Sequence, residues 1–221
     1  MVSFWSLENT SWTDDFGANT LTGVASPTAV AGKVGNCVSL DDSSGQYLTV
    51  ANNSGLQAGG HNFSFSLWIN LTSFSSIYVF SKLGGFGDFE FDVQMAFIGS
   101  HIYLFEVATL GNSFASGVTA QGGTTISTGV WYHLVGTFDN STGAAILYVN
   151  GSSDGTGTNG SMTFTAGVGP VNIGNKNNSG AGNGIVGLID QVGYWIGRVL
   201  SPSDVSALYN GGSGLTYAAM A

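Results

Sequence analysis

The chain has 221 residues, 35 of them glycine, and only 8% are charged, against about 25% in an average domain. Thirteen acids and four bases give a formal net charge of −9. The four cations are scattered at Lys33, Lys82, Lys176 and Arg198, which argues against phosphate binding because neutralising several phosphates takes several cations on one face. An aromatic content of 12% is too high for a disordered chain; one cysteine excludes an intrachain disulfide or a multi-cysteine zinc site, and no run reaches the ~20 apolar residues of a membrane helix.

The first residues, Met1-Val-Ser-Phe-Trp-Ser-Leu-Glu8, carry neither a basic stretch nor an apolar run, so no signal peptide is expected and the protein is read as soluble. Lys33–Leu40 reads as a strand with Cys37 as a buried, inert thiol. Strict alternation then dominates. Asn62–Asn70 places Phe63, Phe65, Leu67 and Ile69 on one face and Ser64, Ser66 and Trp68 on the other, the period-2 signature of a strand. The same pattern recurs at 46–50, 78–80, 88–95, 102–107, 131–138, 145–149, 171–173 and 188–195. Turn clusters lie at 41–45, 82–87 and 139–143. Asn150-Gly151 is a type I′ hairpin signal, since both central residues must tolerate positive φ. The polar stretches 155–160 and 175–184 read as loops. Near the end, Ser201 as N-cap, Pro202 at N1 and Asp204 near N3 predict one short helix closed by Gly211-Gly212. It is too short to stand alone, so Val205, Leu208 and Tyr209 are expected to dock on a sheet.

Many short strands with Gly/Asn/Ser turns predict an all-β, two-sheet antiparallel sandwich of the jelly-roll kind, with one short C-terminal helix, as a single domain over 1–221. Asp88, Glu90 and Asp92 alternate along one strand, where i and i+2 lie about 6.5–7 Å apart. That spacing suits paired carboxyls, but it also suits a solvated face with Phe89, Phe91 and Val93 turned inward. His61, His101 and His133 lack a serine elbow, and His133 reads as a packed, hydrogen-bonded residue. Sugar recognition needs an aromatic platform and polar groups for hydroxyls. The candidates are Trp68, Trp195, Tyr103 with Phe105, the acids Glu90 and Asp92, and Asn175, Asn177 and Asn178 on the long loop.

In order along the chain, six stretches carry a family resemblance: Phe4–Glu8 with Asp14–Asn19; Gly32–Gly35 leading to Val38–Leu40 and Tyr47–Val50; Phe63–Ile69; Trp131–Asp139; Ala145–Gly151; and Gly187–Trp195 running into Leu200–Tyr209. Together they resemble the concanavalin A-like lectin/glucanase superfamily, and within it the laminin G-like jelly-roll domains of bacteria and phages. The resemblance implies two curved sheets face to face, with recognition at one rim or on the concave sheet. Glu90, Asp92 and Gln94 fall where the family's glucanases carry Glu, Asp and Glu. The last carboxylate is an amide here, which removes half of a retaining mechanism. Relatives often hold Ca²⁺ at a loop rim. The oxygen clusters are Glu8, Asp14, Asp15 and Asn19; Asp41 and Asp42; and Asp139 and Asn140. Asp14, Asp15 and Asp190 are the best ligand set, with Asp190 expected to approach the N-terminal cluster.

The resulting expectation is a non-catalytic binding or adhesion domain, displayed on a virion surface as a decoration or fibre protein with weak glycan binding. Its partners would be capsid or tail proteins of a phage particle and cell-surface glycans. The alternatives are a free lectin, Ca²⁺-dependent or not, and a glycoside-active enzyme.

Overall fold

The computed structural model describes residues 1–74, 78–84, 88–96, 102–109, 113–160, 162–176 and 181–220. It is a two-sheet antiparallel β-sandwich. The first sheet contains β1 (Ser3–Trp5), β3 (Thr28–Ala31), β4 (Asn36–Asp41), β6 (Phe63–Leu71), β11 (Tyr132–Asp139), β12 (Ala144–Val149), β13 (Ser152–Thr158) and β15 (Val186–Ile196). Its order is β13-β12-β11-β6-β15-β4-β3, with β1 pairing β15 beyond the end of β4. The second contains β2 (Thr22–Val24), β5 (Tyr47–Val50), β7 (Tyr78–Leu83), β8 (Phe89–Ala96), β9 (Ile102–Thr109), β10 (Ser113–Gln121) and β14 (Val171–Ile173), in the order β10-β9-β8-β7-β14-β5-β2. A helix, α1 (Pro202–Tyr209), and a single further turn, α2 (Tyr217–Met220), follow the last strand.

Aromatic rings hold the sheets together. Phe63 and Phe65 of β6 meet Phe91, Phe80 and Phe105 of the second sheet at ring-centre distances of 4.8, 5.6 and 5.3 Å for Phe63–Phe91, Phe65–Phe80 and Phe65–Phe105. Such tilted and edge-on pairs add to the stabilisation from area burial alone. Gly136 on β11 sits opposite Phe65, and the ring occupies the space a Cβ would need.

The alternation in β6 is as expected, but its second face is not solvated. Ser64, Ser66 and Trp68 are all buried, because α1 and the residues after it lie across the outer face of the first sheet. Val205 and Leu208 join Val135, Tyr148, Trp195 and Leu200 in a second, smaller apolar cluster there, and Tyr209 stacks on Trp68 at 5.8 Å. The helix docks as its length requires. Ser201 Oγ accepts from Asp204 N, and the Asp204 carboxylate accepts from Ser201 N, a complete capping box. Asn210, with φ 48°, ends the helix one residue before the glycines expected to do so.

One loop reading needs correction. Residues 155–158 belong to β13. Its glycines hide the strand pattern, and they are there because the backbone runs so close to β10 that a Cβ on Gly155 or Gly157 would strike the carbonyls of Gln121 and Thr119. The edge strands β2, β3 and β10 also escaped the alternation test. The Asn150-Gly151 turn has φ of 50° and 81°, as a type I′ hairpin demands.

Ser201→Ala removes one half of the capping box, and we expect a loss of about 1 kcal/mol of stability with unchanged near-UV circular dichroism. A neutral effect in denaturant titration would mean that α1 is held by its apolar face alone.

Candidate functional site

On the second sheet the inward positions are apolar: Phe91 and Val93 on β8, Phe105 and Val107 on β9, Ile173 on β14. The residues between them point to the outer face, and the register lines them up. Thr22 pairs Thr49, Thr49 pairs Asn172, Asn172 pairs Ser81, Ser81 pairs Asp92, Asp92 pairs Glu106 and Glu106 pairs Thr119. One continuous polar row therefore crosses all seven strands. At its β5 end it opens into a shallow depression of about 420 Å³ lined by Thr22, Thr49, Ala51, Asn52, Val168 and Pro170.

The centre of this row is dry. Asp92 is 1% exposed and Asn172 0%, although both project from an outer face. The chain leaving β14 stays against the row beside them: Ser81 Oγ donates to the Asn175 carbonyl at 2.9 Å, and Lys176 Nζ donates to the Tyr78 hydroxyl at 3.0 Å. Among the described residues, neither oxygen of Asp92 and neither polar atom of the Asn172 amide has a hydrogen-bond partner. Burial, with the Glu106 carboxylate next to it, pushes the Asp92 carboxyl well above the usual range, against a smaller opposing pull from Lys176. Glu106 is held by Gln94 and by Thr119 Oγ1.

The expected site residues separate in the structure. Glu90 and Asp92 stand in different surroundings. Glu90 accepts from the backbone N–H of Ala58 and Gly167 and lies 3.4 Å from Lys82 Nζ, with both side chains fully buried, and it shares no partner with Asp92. Trp68 and Tyr103 offer no ring face to solvent, at 2% and 1% exposure. Trp68 has Lys33 Nζ 4.7 Å from its ring centre and stacks on Tyr209; Tyr103 and Phe105 belong to the core between the sheets. Trp195 is buried under α1. Asn175 stands beside the polar row, and Asn177, Asn178 and His101 lie outside the described residues. His133 is the packed residue expected, bonded to Ser66 Oγ at 2.8 Å with its pKa pushed down to about 3 by burial. Cys37 is inert, with its thiol pushed up to about 12.

The metal candidates Asp14, Asp15 and Asp190 are engaged by backbone donors in this arrangement. Asp14 accepts backbone N–H groups from Phe4, Phe16, Gly17 and Asn19, and Asp15 accepts from Ser6. Asp190 accepts from Lys33 and Val34 instead. It sits where β4 ends and β1 begins along β15, beside Gln191 with φ 50°, and of the N-terminal acids it is Glu8 whose charge it feels. Carboxylates already engaged by backbone donors have few lone pairs left for a cation that wants six to eight oxygens. Among the described residues, no three His, Cys, Asp or Glu side chains cluster to hold a metal.

Sequence reasoning missed Asn172, Ser81 and Glu106. Their only signal is a polar residue set between apolar neighbours in a strand, as in Val171-Asn-Ile173 and Phe105-Glu-Val107.

A laminin G-type family model, described as the concanavalin A-like lectin/glucanases superfamily, matches residues 42–206. The chain belongs to that superfamily. A search of curated protein sequences finds no match. Among solved structures, the chain is similar to domain 4 of AbnA, an extracellular GH43 arabinanase from Geobacillus stearothermophilus solved with arabinotriose: TM-score 0.65, 22% identity, covering 93% of this chain and 96% of that one. It is also similar to the binding domain of Paraclostridial Mosquitocidal Protein 1 (TM-score 0.72, 14% identity, 96% and 52%) and of botulinum neurotoxin serotype G (0.72, 14%, 94% and 50%). The chain spans about half the length of those two toxin domains. At these identities the likeness is one of fold.

Two measurements check the electrostatics. Burial raises the Asp190 carboxyl from 3.8 to about 7. The native state thus holds a proton that the unfolded chain releases near pH 4, so this contribution to stability is full below about pH 4 and is lost as pH rises through about 7. Relative to Asp190→Asn, the wild type should lose stability between those limits; a constant difference across that range contradicts the assignment. Excess EDTA should leave Tm unchanged, and a drop on chelation would place an ion in the fold.

Proposed function

We propose that this chain is a non-catalytic binding domain that recognises neutral saccharides on the outer face of its second sheet, along Thr49, Asn172, Ser81, Asp92 and Glu106. The observation that carries the reading is the burial of Asp92 and Asn172 without hydrogen-bond partners among the described residues. An unsatisfied buried polar group costs about 1–3 kcal/mol, and such groups are kept where a ligand's hydroxyls complete them. Entry requires the Asn175–Lys176 segment to move off Ser81 and Tyr78. The adjoining depression at Thr22, Thr49 and Asn52 extends the same row toward solvent. A net charge of −9 favours neutral sugars over acidic ones. Superfamily membership and the likeness to a domain solved with arabinotriose support the same reading.

Catalysis is not part of it. Glycoside hydrolysis needs two carboxyls open to the sugar; Glu106 is engaged by Gln94 and Thr119 and Glu90 is locked to Lys82, so Asp92 has no second free carboxyl to work with even when the segment beside it moves. The sparse surface charge supports display on a virion surface with capsid or tail proteins as partners, since few long side chains need ordering on assembly; co-purification with particles tests that placement.

Calorimetric titration with arabinotriose and a panel of neutral oligosaccharides tests the site. A binder found there should lose about ten- to a hundredfold in affinity in Asn172→Ala and Asp92→Asn, the loss of one hydroxyl contact being worth about 1–3 kcal/mol. Binding that survives both changes, or no binding across the panel, overturns the proposal. No polysaccharide should be turned over; hydrolysis abolished by Asp92→Asn would make the protein an enzyme.

A further inference from the structure

Lys82 is a cation placed where a cation is expensive. It is 1% exposed, at the end of β7 beneath the loops at 52–58 and 165–170. Its Nζ lies 2.8 Å from Asn52 Oδ1, 2.9 Å from the Gly169 carbonyl, 3.3 Å from the Gly167 carbonyl and 3.4 Å from Glu90 Oε1. Glu90 is fully buried and held in place by the N–H groups of Gly167 and Ala58, at 2.6 and 2.9 Å. An amine, a carboxamide and a carboxyl group thus meet around one atom, with the amine and the carboxyl shielded from water.

We propose that Lys82 and Asn52 form an intramolecular isopeptide bond, with Glu90 as the proton-transferring catalytic residue. Burial pushes the Lys82 amine down and the Glu90 carboxyl up, which moves the pair toward a neutral amine beside a neutral acid. A neutral amine has two N–H bonds and one lone pair. With its N–H groups on the Gly169 and Gly167 carbonyls, the lone pair is left for the side occupied by Asn52 and Glu90. The lone pair attacks Asn52 Cγ, the carbonyl π electrons move to Oδ1, and Glu90 supplies the hydrogen bond that stabilises the developing charge. Glu90 takes a proton from Nζ and delivers one to Nδ2. The Cγ–Nδ2 bond breaks, ammonia leaves and a secondary amide remains. Nothing is oxidised or reduced, no co-reactant is consumed, and Glu90 is regenerated. The product replaces two buried ionisable groups in contact with one neutral amide and one carboxyl. It ties the end of β7 to the loop after β5, across the intervening β14.

Intact-mass measurement of the purified full chain is the test. The wild type should be one ammonia lighter than its sequence mass. Proteolysis followed by tandem mass spectrometry should give a branched peptide joining the segments around Asn52 and Lys82. Asn52→Ala, in a partly exposed loop, and Glu90→Gln should both run at their full sequence masses. A wild type at full mass after prolonged incubation overturns the proposal. So does an ammonia loss that persists in Asn52→Ala or maps to a succinimide at Asn150-Gly151, which changes the mass equally without a branch. A branched peptide that still forms at the wild-type rate in Glu90→Gln removes Glu90 from the reaction.

Discussion

Strand β6 is dry on both faces, and that constraint organises the molecule. One face interleaves its phenylalanines with those of β7, β8 and β9. The other carries two serines, small enough to let α1 and the tail come close, beside Trp68, on which Tyr209 stacks. A strand enclosed in this way can carry no charge at any position, and its neighbours β11 and β15 follow suit: His133 is held uncharged, and Asp190 titrates near neutrality. The low charge of the chain is therefore a consequence of its layering. There are three packed layers in all, the second sheet, the first sheet and the C-terminal helix, where a simple sandwich has two.

Much of this was legible in the sequence. Period-2 runs marked nine strands because each alternates large apolar residues with small or polar ones, and the helix was readable from Ser201, Pro202 and Asp204 because capping is local chemistry. The misses have common causes. β13 and β10 approach so closely that glycine replaces the side chains that would have signalled a strand. Trp68 and Trp195 were misread because alternation reports which residues share a face and not what later covers that face. Covering by the C-terminal helix is a tertiary fact.

The polar row on the second sheet was half visible. Asp92 stood out as one of three alternating acids, yet its partners arrive from β7, β9 and β14, far apart in sequence and joined only by register. The same three acids illustrate how misleading spacing alone can be. Asp88 accepts from Val168 N, Glu90 belongs to Lys82, and Asp92 has no hydrogen-bond partner among the described residues. Equal spacing along a strand gave three different environments, because loops from 52–58 and 165–170 cover two of them and the chain after β14 stays beside the third.

Those loops explain why a chain with four cations buries one of them. Segments without regular hydrogen-bonding partners need donors and acceptors when they are covered, and Lys82 supplies three donors to Asn52, Gly167 and Gly169, while Glu90 accepts from Gly167 and Ala58. Removing either partner of such a pair alone leaves an uncompensated buried charge, so the two are held together as a unit. A unit so placed is stable as an ion pair only while both charges are better solvated by the loops than they would be as neutral groups. Burial acts on both in the direction that weakens that condition, and proximity of the Asn52 carboxamide gives the neutral amine an electrophile within reach. The polar anchoring of irregular chain and the chemistry of an isopeptide bond thus draw on one arrangement of atoms.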